Sequence, residues 1–337
     1  MAFQPTIDLQ TGSERALKCY SESNSMGMPL TDEPSSMLNR KVNCPYCRGL
    51  SVYLLSSSDV NRGTTADVFE YYRCQHCDLL FLTPRPDDMG VYYKGGYQPI
   101  PTTLSRLRVI AKRDYYRMKP LLAHKTQGSL LEIGPWIGIF ACNAKYAGFA
   151  VTAIEMDPQC VDFLNNVLGI KAVQSSDPAA TMEAMDESFD AIVLWHTLEH
   201  LPKPWLVLQK AAERLAPGGI LLIAVPNIES YDFSVLKAGW VHLDTPRHLF
   251  FYTAHSLEKL CSTFGLRTLE QTTSDRLSRV LSLHAWCVRA HAIIPIKYFS
   301  RVLGSFLNQL ARRKSNGNGS GLTAVFIKND SVNNFTS

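Results

Sequence analysis

The chain has 337 residues, of which 46% are hydrophobic and 19% charged, and its formal net charge is +4. This composition excludes wholesale disorder, and the length predicts two modules because it exceeds what one hydrophobic core usually organises. So small a net charge gives no support on its own for a nucleic-acid partner. No apolar run reaches the roughly 18 residues that span a bilayer. Residues 1–20 lack the pattern of a secretory signal, so we expect a cytoplasmic protein.

The N-terminal part contains two Cys-x-x-Cys pairs, Cys44 with Cys47 and Cys74 with Cys77, after a polar segment 1–40 that we expect to be flexible. Apolar runs at 51–55 and 68–72 lie between the pairs and are typical of short strands. Four thiolates would fill the tetrahedral coordination sphere of a structural zinc ion. The pattern therefore predicts a zinc ribbon over residues 41–83. The alternatives are incidental thiols, a redox pair, or a site in which His76 is a ligand.

Residues 84–128 are predicted to connect this ribbon to the rest of the chain. Proline and glycine are dense up to residue 96, which favours an ordered connector or a lid. Basic and apolar side chains then alternate between residues 103 and 123. This pattern indicates a helix with a solvated basic face, and a phosphate-contacting surface is the alternative.

From residue 129 onwards, short apolar runs alternate with helical patterns. Runs at 130–133, 150–155, 170–173, 189–195, 220–225, 266–272 and 322–328 predict an α/β, doubly wound, seven-stranded Rossmann-like sheet. The domain would span residues 129–330, with a helical insertion at 274–320 and a tail at 331–337. Ligands of such sheets bind beyond the carboxyl ends of the strands. Glu155 ends the second run, where a carboxylate can accept hydrogen bonds from both hydroxyls of a ribose.

Glu132 argues against a dinucleotide at this edge of the sheet. A pyrophosphate site needs G-x-G-x-x-G at a helix N-terminus. In this chain Gly134 and Gly138 follow Glu132, and the carboxylate would face the pyrophosphate. It suits instead a nucleoside-bearing cofactor whose near end carries an ammonium group.

Leu131-Glu-Ile-Gly-Pro-Trp-Ile-Gly138 resembles the first motif, E/D-x-G-x-G-x-G, of class I S-adenosylmethionine-dependent methyltransferases. Segments 189–200 and 215–227 resemble later motifs of that family. Segment 240–248 resembles the subgroup with an N-terminal zinc ribbon, which is similar to methyltransferases of sugar, polysaccharide and secondary-metabolite pathways. The resemblance covers residues 42–330 and implies an enzyme that uses S-adenosylmethionine.

The resemblance also implies how this cofactor is bound. Its methionine end would contact Glu132, Gly134 and Gly138. Its ribose would contact Glu155, and its adenine would contact Met156 and Asp177.

Trp136 stands where the family has its middle glycine. One interpretation is a shifted turn in which the ring packs on nearby helices. In a second, the indole covers the sulfonium or the substrate through cation–π attraction. A third is that cofactor binding has been lost.

Methyl transfer needs a nucleophile held in line with the sulfonium methyl group, and a hydroxyl nucleophile benefits from a nearby base. Histidines cluster after the fourth and fifth predicted strands, and the candidate bases are His196, His200 and His248. Glu199 would orient a histidine or cap a helix. It could also bind a divalent cation with His200, as in some quinone O-methyltransferases with a similar L-E-H segment.

The sequence therefore predicts methyl transfer to an oxygen or carbon atom of a small-molecule or sugar-type metabolite. The alternatives are an RNA methyltransferase guided by the ribbon, and a scaffold without catalysis. Apolar residues at helical spacing between 299 and 310, flanked by basic residues at 297, 301 and 312–314, predict an amphipathic helix. It would pack on the domain, lie on a membrane near a lipid-linked substrate, or form a dimer contact.

Overall fold

The computed structural model describes residues 41–93, 100–294 and 296–328. The predicted flexible segment 1–40, residues 94–99 of the connector and the tail at 331–337 lie outside the described residues.

The first described part of the chain forms antiparallel strands that pair in chain order. They are β1 (Lys41–Asn43), β2 (Leu50–Ser58), β3 (Val68–Cys74) and β4 (Leu80–Thr83). The strands predicted at 51–55 and 68–72 lie within β2 and β3. Cys44, Cys47 and Cys77 lie in the turns that precede β2 and β4, and Cys74 ends β3, so strand pairing brings the two pairs together.

The connector is helical where the structure describes it. A 3₁₀ turn (Met89–Tyr93) is followed by α1 (Leu104–Arg113), a second 3₁₀ turn (Tyr115–Arg117) and α2 (Met118–Leu122). The Thr103 hydroxyl caps α1 by accepting a hydrogen bond from the Arg106 amide. The helix buries Leu107 and Ala111 and leaves its basic side chains exposed, as the sequence predicts.

The rest of the chain alternates strands and helices. Its elements are β5 (Gly128–Ile133), α3 (Ile139–Tyr146), β6 (Phe149–Glu155), α4 (Pro158–Asn166), β7 (Lys171–Gln174), α5 (Pro178–Glu183), β8 (Phe189–Trp195), α6 (Pro204–Arg214), β9 (Leu215–Pro226), α7 (Tyr231–Leu236), β10 (Phe250–Phe251), α8 (Ala254–Ser262), β11 (Leu266–Thr272), α9 (Arg276–Ile293), α10 (Lys297–Lys314) and β12 (Gly321–Lys328).

The second sheet confirms the predicted doubly wound architecture. Its seven strands follow the order β11-β12-β9-β8-β5-β6-β7. Strands β5 to β9 pair in parallel, and β12 is antiparallel to both of its neighbours. The central strands are almost wholly apolar because helices cover both faces. The strand order reverses beside β5, which is where such sheets bind ligands.

Strand β10 joins the two sheets into one body. It follows β9 in the chain, yet it pairs with β4 through Phe250 opposite Phe81 and Phe251 opposite Leu80. A continuous apolar cluster also runs from Phe81 and Phe250 to Leu131 of the large sheet. The ribbon segment and the large domain therefore share both a sheet and a core.

Candidate functional site

The four paired cysteines converge at one end of the N-terminal sheet. Sγ of Cys44 lies 3.7 Å from Sγ of Cys77, and Sγ of Cys47 lies 3.5 Å from Sγ of Cys74. All four sulfurs lie within 4.8 Å of one another. A tetrahedral zinc ion with Zn–S bonds of about 2.3 Å separates its sulfur ligands by about 3.8 Å. The four thiols thus fit zinc, while His76 is exposed and outside the cluster.

The two cysteine pairs adopt the same backbone turn. The Cys44 carbonyl accepts from the Arg48 amide at 3.0 Å, and the Cys74 carbonyl accepts from the Asp78 amide at 3.1 Å. Arg48 and Asp78 share a φ of 63°. Gly49 lies so close that a Cβ there would be 3.4 Å from the Cys74 sulfur. The repeated turn aims all four sulfurs at one point.

Hydrogen bonding favours thiolate at Cys44, whereas the hydrogen bond with Cys44 raises the pKa of Cys77 and burial raises that of Cys47. The Cys77 thiol lowers the pKa of Cys44 to about 5. Thiolate is the form that binds metals.

A cavity of about 1180 Å³ lies beyond the carboxyl ends of β5, β6 and β8. Five of the seven predicted cofactor residues line it: Glu132, Gly134, Trp136, Glu155 and Met156. The three predicted bases line it too, so the structure brings these two groups into one space.

Glu132 is buried, with a relative exposure of 2%. Its Oε2 atom has no hydrogen-bond partner among the described residues. Burial raises the pKa of Glu132 to about 8, while the nearby Arg117 guanidinium opposes this shift. An unpaired buried carboxylate oxygen is costly, and a cationic donor in the cavity would relieve that cost.

Glu155 is held in place by three backbone amides. Its Oε2 accepts from Trp136 at 2.8 Å, and its Oε1 accepts from Met156 at 2.8 Å and from Asp157 at 3.0 Å. Burial raises the pKa of Glu155, and these hydrogen bonds oppose that shift. The carboxylate is therefore preorganised at the end of β6.

Trp136 adopts a left-handed backbone conformation in the turn between β5 and α3. Its φ is 52°, in the left-handed region that favours glycine. The half-buried ring packs against the apolar cluster that contains Ile137 and Leu164. It also lines the cavity. The ring thus packs on the neighbouring apolar side chains and is also exposed to the cavity.

The two glycines of the turn differ in what they contact. A Cβ at Gly134 (φ 70°) would lie 2.7 Å from the Thr197 side chain at the cavity wall. A Cβ at Gly138 (φ 76°) would lie 2.6 Å from Leu164 of α4. Gly138 does not line the cavity, so its contribution is to let α3 and α4 pack closely.

Asp177 caps α5 and does not line the cavity. Its Oδ1 accepts from the amides of Ala179 and Ala180 at 3.1 Å. The neighbouring Ser175 and Ser176 do line the cavity.

His196 forms a histidine–carboxylate pair with Glu199. Its Nδ1 lies 3.1 Å from the Glu199 Oε1 atom, and Glu199 is fully buried. The Nε2 atom of His196 has no partner within the described ranges. Burial lowers the pKa of His196 to about 3, so the ring is neutral. Such a pair can orient an imidazole and stabilise it once it accepts a proton.

His200 and His248 lie together beside this pair, with ring centroids 4.5 Å apart. Backbone carbonyls lie near both Nδ1 atoms, that of Arg247 at 3.1 Å from His200 and that of His242 at 2.9 Å from His248. These contacts leave the Nε2 atoms as acceptors. Burial lowers the pKa of His200 to about 4. Ligand atoms of Glu199, His200 and His248 lie within 4.8 Å of one another, a geometry that could hold a metal ion.

Arg247 fixes the segment that carries these histidines. It is fully buried, and its NH2 atom lies 2.7 Å from Asp59 and 2.7 Å from Asp244. Asn61 donates a further hydrogen bond to Asp244 at 2.7 Å. Asp59 and Asn61 follow β2, so the N-terminal sheet supports the histidine end of the cavity.

Several residues that line the cavity were missed from the sequence. They include Asn61, Tyr93, Arg117 and His284. They come from four separate segments, and no short motif marks any of them. Arg117 lies in the basic stretch of the connector and Tyr93 in its proline- and glycine-rich part, and these stretches were the available signal.

Comparison with known proteins agrees with this architecture. Residues 108–271 match the family model described as a methyltransferase domain. A ubiquinone biosynthesis O-methyltransferase of Parvibaculum lavamentivorans is 31% identical over 100 residues, which are 28% of this chain and 40% of that protein. Its counterpart in Xanthomonas axonopodis is 30% identical over 116 residues, which are 33% of this chain and 48% of that protein. The chain thus spans less than half the length of these curated relatives.

A solved SAM-dependent methyltransferase from Archaeoglobus fulgidus is similar over 66% of this chain and 97% of its own, with a TM-score of 0.45 and 16% identity. The family match itself includes β5 to β9, Glu132 and Glu155. The segment of this chain that builds the parallel strands and the cofactor end of the cavity therefore matches the methyltransferase domain family.

Proposed function

We propose that the protein transfers a methyl group from S-adenosylmethionine to an oxygen or carbon atom of a small-molecule or sugar-type acceptor. The observation that carries this proposal is the buried, unpaired Oε2 atom of Glu132 beside the preorganised Glu155. A cofactor with an ammonium group at one end and a ribose in the middle suits these two carboxylates.

In this proposal each part of that cofactor has a partner in the chain. Glu132 would bind the ammonium group, and Arg117, which lines the same cavity, would bind the carboxylate of the methionine end. Glu155 would bind the ribose hydroxyls. Met156 would pack on the adenine, since half of its surface is exposed in the cavity.

The histidine end of the cavity would hold the acceptor. His196 suits a general base because Glu199 fixes its Nδ1 atom and its Nε2 atom has no partner among the described residues. As the acceptor oxygen attacks the methyl carbon, its proton would pass to Nε2, and the neutral thioether would leave. His200 and His248 are the alternative bases, and with Glu199 they are the alternative cation site.

We further infer that Cys44, Cys47, Cys74 and Cys77 hold a structural zinc ion. Four sulfur ligands leave no coordination position for a reactant, so the metal would stabilise the N-terminal sheet.

Calorimetric titration with S-adenosylmethionine tests the cofactor site. Glu132→Gln and Glu155→Gln should each weaken binding by about 1.5–3 kcal/mol, the range for hydrogen bonds to charged groups. Asp177→Asn is the matched control, since it lies off the cavity and asparagine also caps helices. No binding by the wild type would refute the proposal and favour a scaffold.

The acceptor can be sought with labelled cofactor and a panel of hydroxylated metabolites and RNA. Label transferred to metabolites is the expected result. Label transferred to RNA, with salt-sensitive RNA binding, would favour the nucleic-acid alternative.

A further inference from the structure

Helices α9 and α10 follow β11 in the chain, precede β12 and pack against each other. Residues 276–314 thus form a helical hairpin. We propose that the outer face of this hairpin docks on an anionic lipid surface.

The first observation is the direction in which α10 faces. Its buried positions are small or polar: Ser300, Gly304, Asn308 and Ala311. A Cβ at Gly304 would lie 2.6 Å from the Cys287 Cα atom, so α10 approaches the α9 backbone closely. The helix therefore contacts the protein mainly through small and polar side chains, with Leu303 and Leu307 half-buried beside them.

Five of the larger apolar side chains of α10 face water instead. Their relative exposures are 73% for Tyr298, 58% for Phe299, 55% for Val302, 55% for Phe306 and 40% for Leu310. Phe299, Val302, Phe306 and Leu310 recur at helical spacing and form one stripe. A helix packed on a globular domain shows the opposite arrangement, and an exposed apolar stripe marks an interaction surface.

The second observation is the charge around this stripe. The hairpin sequence contains eight Lys and Arg residues and no Asp or Glu, while the whole chain has a net charge of +4. Arg312, Arg313 and Lys314 are exposed at the end of the stripe, and Arg279 and Arg289 are exposed on α9. The hairpin thus carries eight of the 34 Lys and Arg residues of the chain and has a net charge of +8.

The exposed apolar stripe and the basic side chains around it together favour an anionic lipid surface as the partner. A second copy of the hairpin would place like charges against one another, and a nucleic acid would leave the aromatic stripe without a matching surface. An anionic bilayer accepts both, because apolar side chains enter the acyl boundary while basic side chains contact the headgroups. No helix within the described ranges is long and apolar enough to cross a membrane, so docking would be interfacial.

The inner side of the hairpin reaches the cavity. Leu281 and His284 of α9 line it. Docking would therefore hold on the lipid surface the hairpin that supplies one wall of the acceptor end. It would not depend on cofactor binding or methyl transfer, so its failure can be distinguished from failure of the proposed function.

Sedimentation with vesicles, without cofactor, tests the inference. The wild-type protein should sediment with equimolar phosphatidylcholine–phosphatidylglycerol vesicles, and much less with phosphatidylcholine alone. Phe306→Glu and the pair Arg312→Glu/Arg313→Glu should each lower the partition coefficient at least about tenfold. Salt should weaken binding by screening.

Matched controls come from α1, which has its own exposed apolar residue and its own basic pair in the last turn. Val109→Glu and the pair Lys112→Glu/Arg113→Glu should leave the partition coefficient within about twofold. Thermal unfolding of every variant establishes that the fold is retained.

Three results would overturn the inference. The first is wild-type protein that stays in the supernatant with anionic vesicles. The second is an equal loss of binding in the α1 variants. The third is a wild-type dimer that Phe306→Glu converts to a monomer, because the stripe would then belong to a contact between copies.

Discussion

Burial raises the pKa of Glu132 to about 8 and lowers the pKa values of His196 and His200 to about 3 and about 4. All three side chains are therefore neutral near pH 7 in the unliganded cavity. Glu132 would gain its charge beside a cationic ligand, whereas His196 would gain its charge beside Glu199 when it accepts a proton. At the scale of single residues, the unliganded cavity thus holds these three ionisable groups in their neutral forms.

Cofactor binding should release a proton from Glu132. Below about pH 8 this carboxyl group is protonated, and an incoming ammonium group would favour the carboxylate. Calorimetric titrations at about pH 7 in buffers of different ionisation enthalpy should show release in the wild type but not in Glu132→Gln. A binding enthalpy independent of the buffer would contradict this assignment.

The same shift affects the stability of the unliganded protein. The pKa of Glu132 is higher in the folded protein than its ordinary value of 4.5. Its contribution to the free energy of unfolding is therefore fully present below pH 4.5 and is lost as the pH rises through about 8.

Trp136→Gly should leave the affinity for S-adenosylmethionine equal or better. The Trp136 amide, rather than the ring, bonds Glu155, and glycine adopts a φ of 52° without the strain of about 1–2 kcal/mol that a side chain imposes. Titration with the cofactor and with its neutral product S-adenosylhomocysteine checks this. A loss confined to the cationic cofactor would show that the indole covers the sulfonium.

At the scale of elements, the packing of α3 on α4 depends on Gly138. Gly138→Ala should destabilise the protein by about 2–4 kcal/mol, from positive-φ strain and from overlap with Leu164. Gly218→Ala is the matched control: its φ is 66°, and no atom lies within 4 Å of the Cβ position, so strain alone of about 1–2 kcal/mol is expected. Equal midpoints in denaturant for the two variants would show that the contact with Leu164 has no energetic role.

The spacing of apolar residues predicted where the strands and helices lie better than it predicted which of them pair or pack together. The apolar runs located every strand of the large sheet, and Glu132 and Glu155 lie in the cavity because strand ends of a parallel sheet share one edge. Strand β10 escaped prediction because two phenylalanines carry no period, and its partner β4 is distant in sequence. The spacing in α10 predicted a helix but could not tell which face packs. Asp177 occupies the expected loop, yet helix capping engages its carboxylate.

At the scale of the whole molecule, the cysteine cluster should determine whether the N-terminal sheet folds. We expect about one zinc ion per chain in elemental analysis, and its loss in Cys44→Ser and Cys74→Ser. Cys142→Ser is the control, because Cys142 lies in the α3 region away from the cluster. Reduced, carefully purified protein that contains no zinc would refute the site.

The ion pairs of Arg247 with Asp59 and Asp244 would extend the influence of a zinc ion in the cysteine cluster beyond the N-terminal sheet. Asp59 reaches this guanidinium from the end of β2, so an unfolded ribbon would leave a buried arginine with half of its counter-charge. Removing one partner of a buried ion pair costs about 3–5 kcal/mol. The segment with His242 and His248 should then loosen, while Glu132 and Glu155 keep their own supports in β5 and β6. Zinc depletion is therefore expected to uncouple two properties that usually fail together: the depleted enzyme would still retain S-adenosylmethionine, but would no longer recognise the molecule to be methylated.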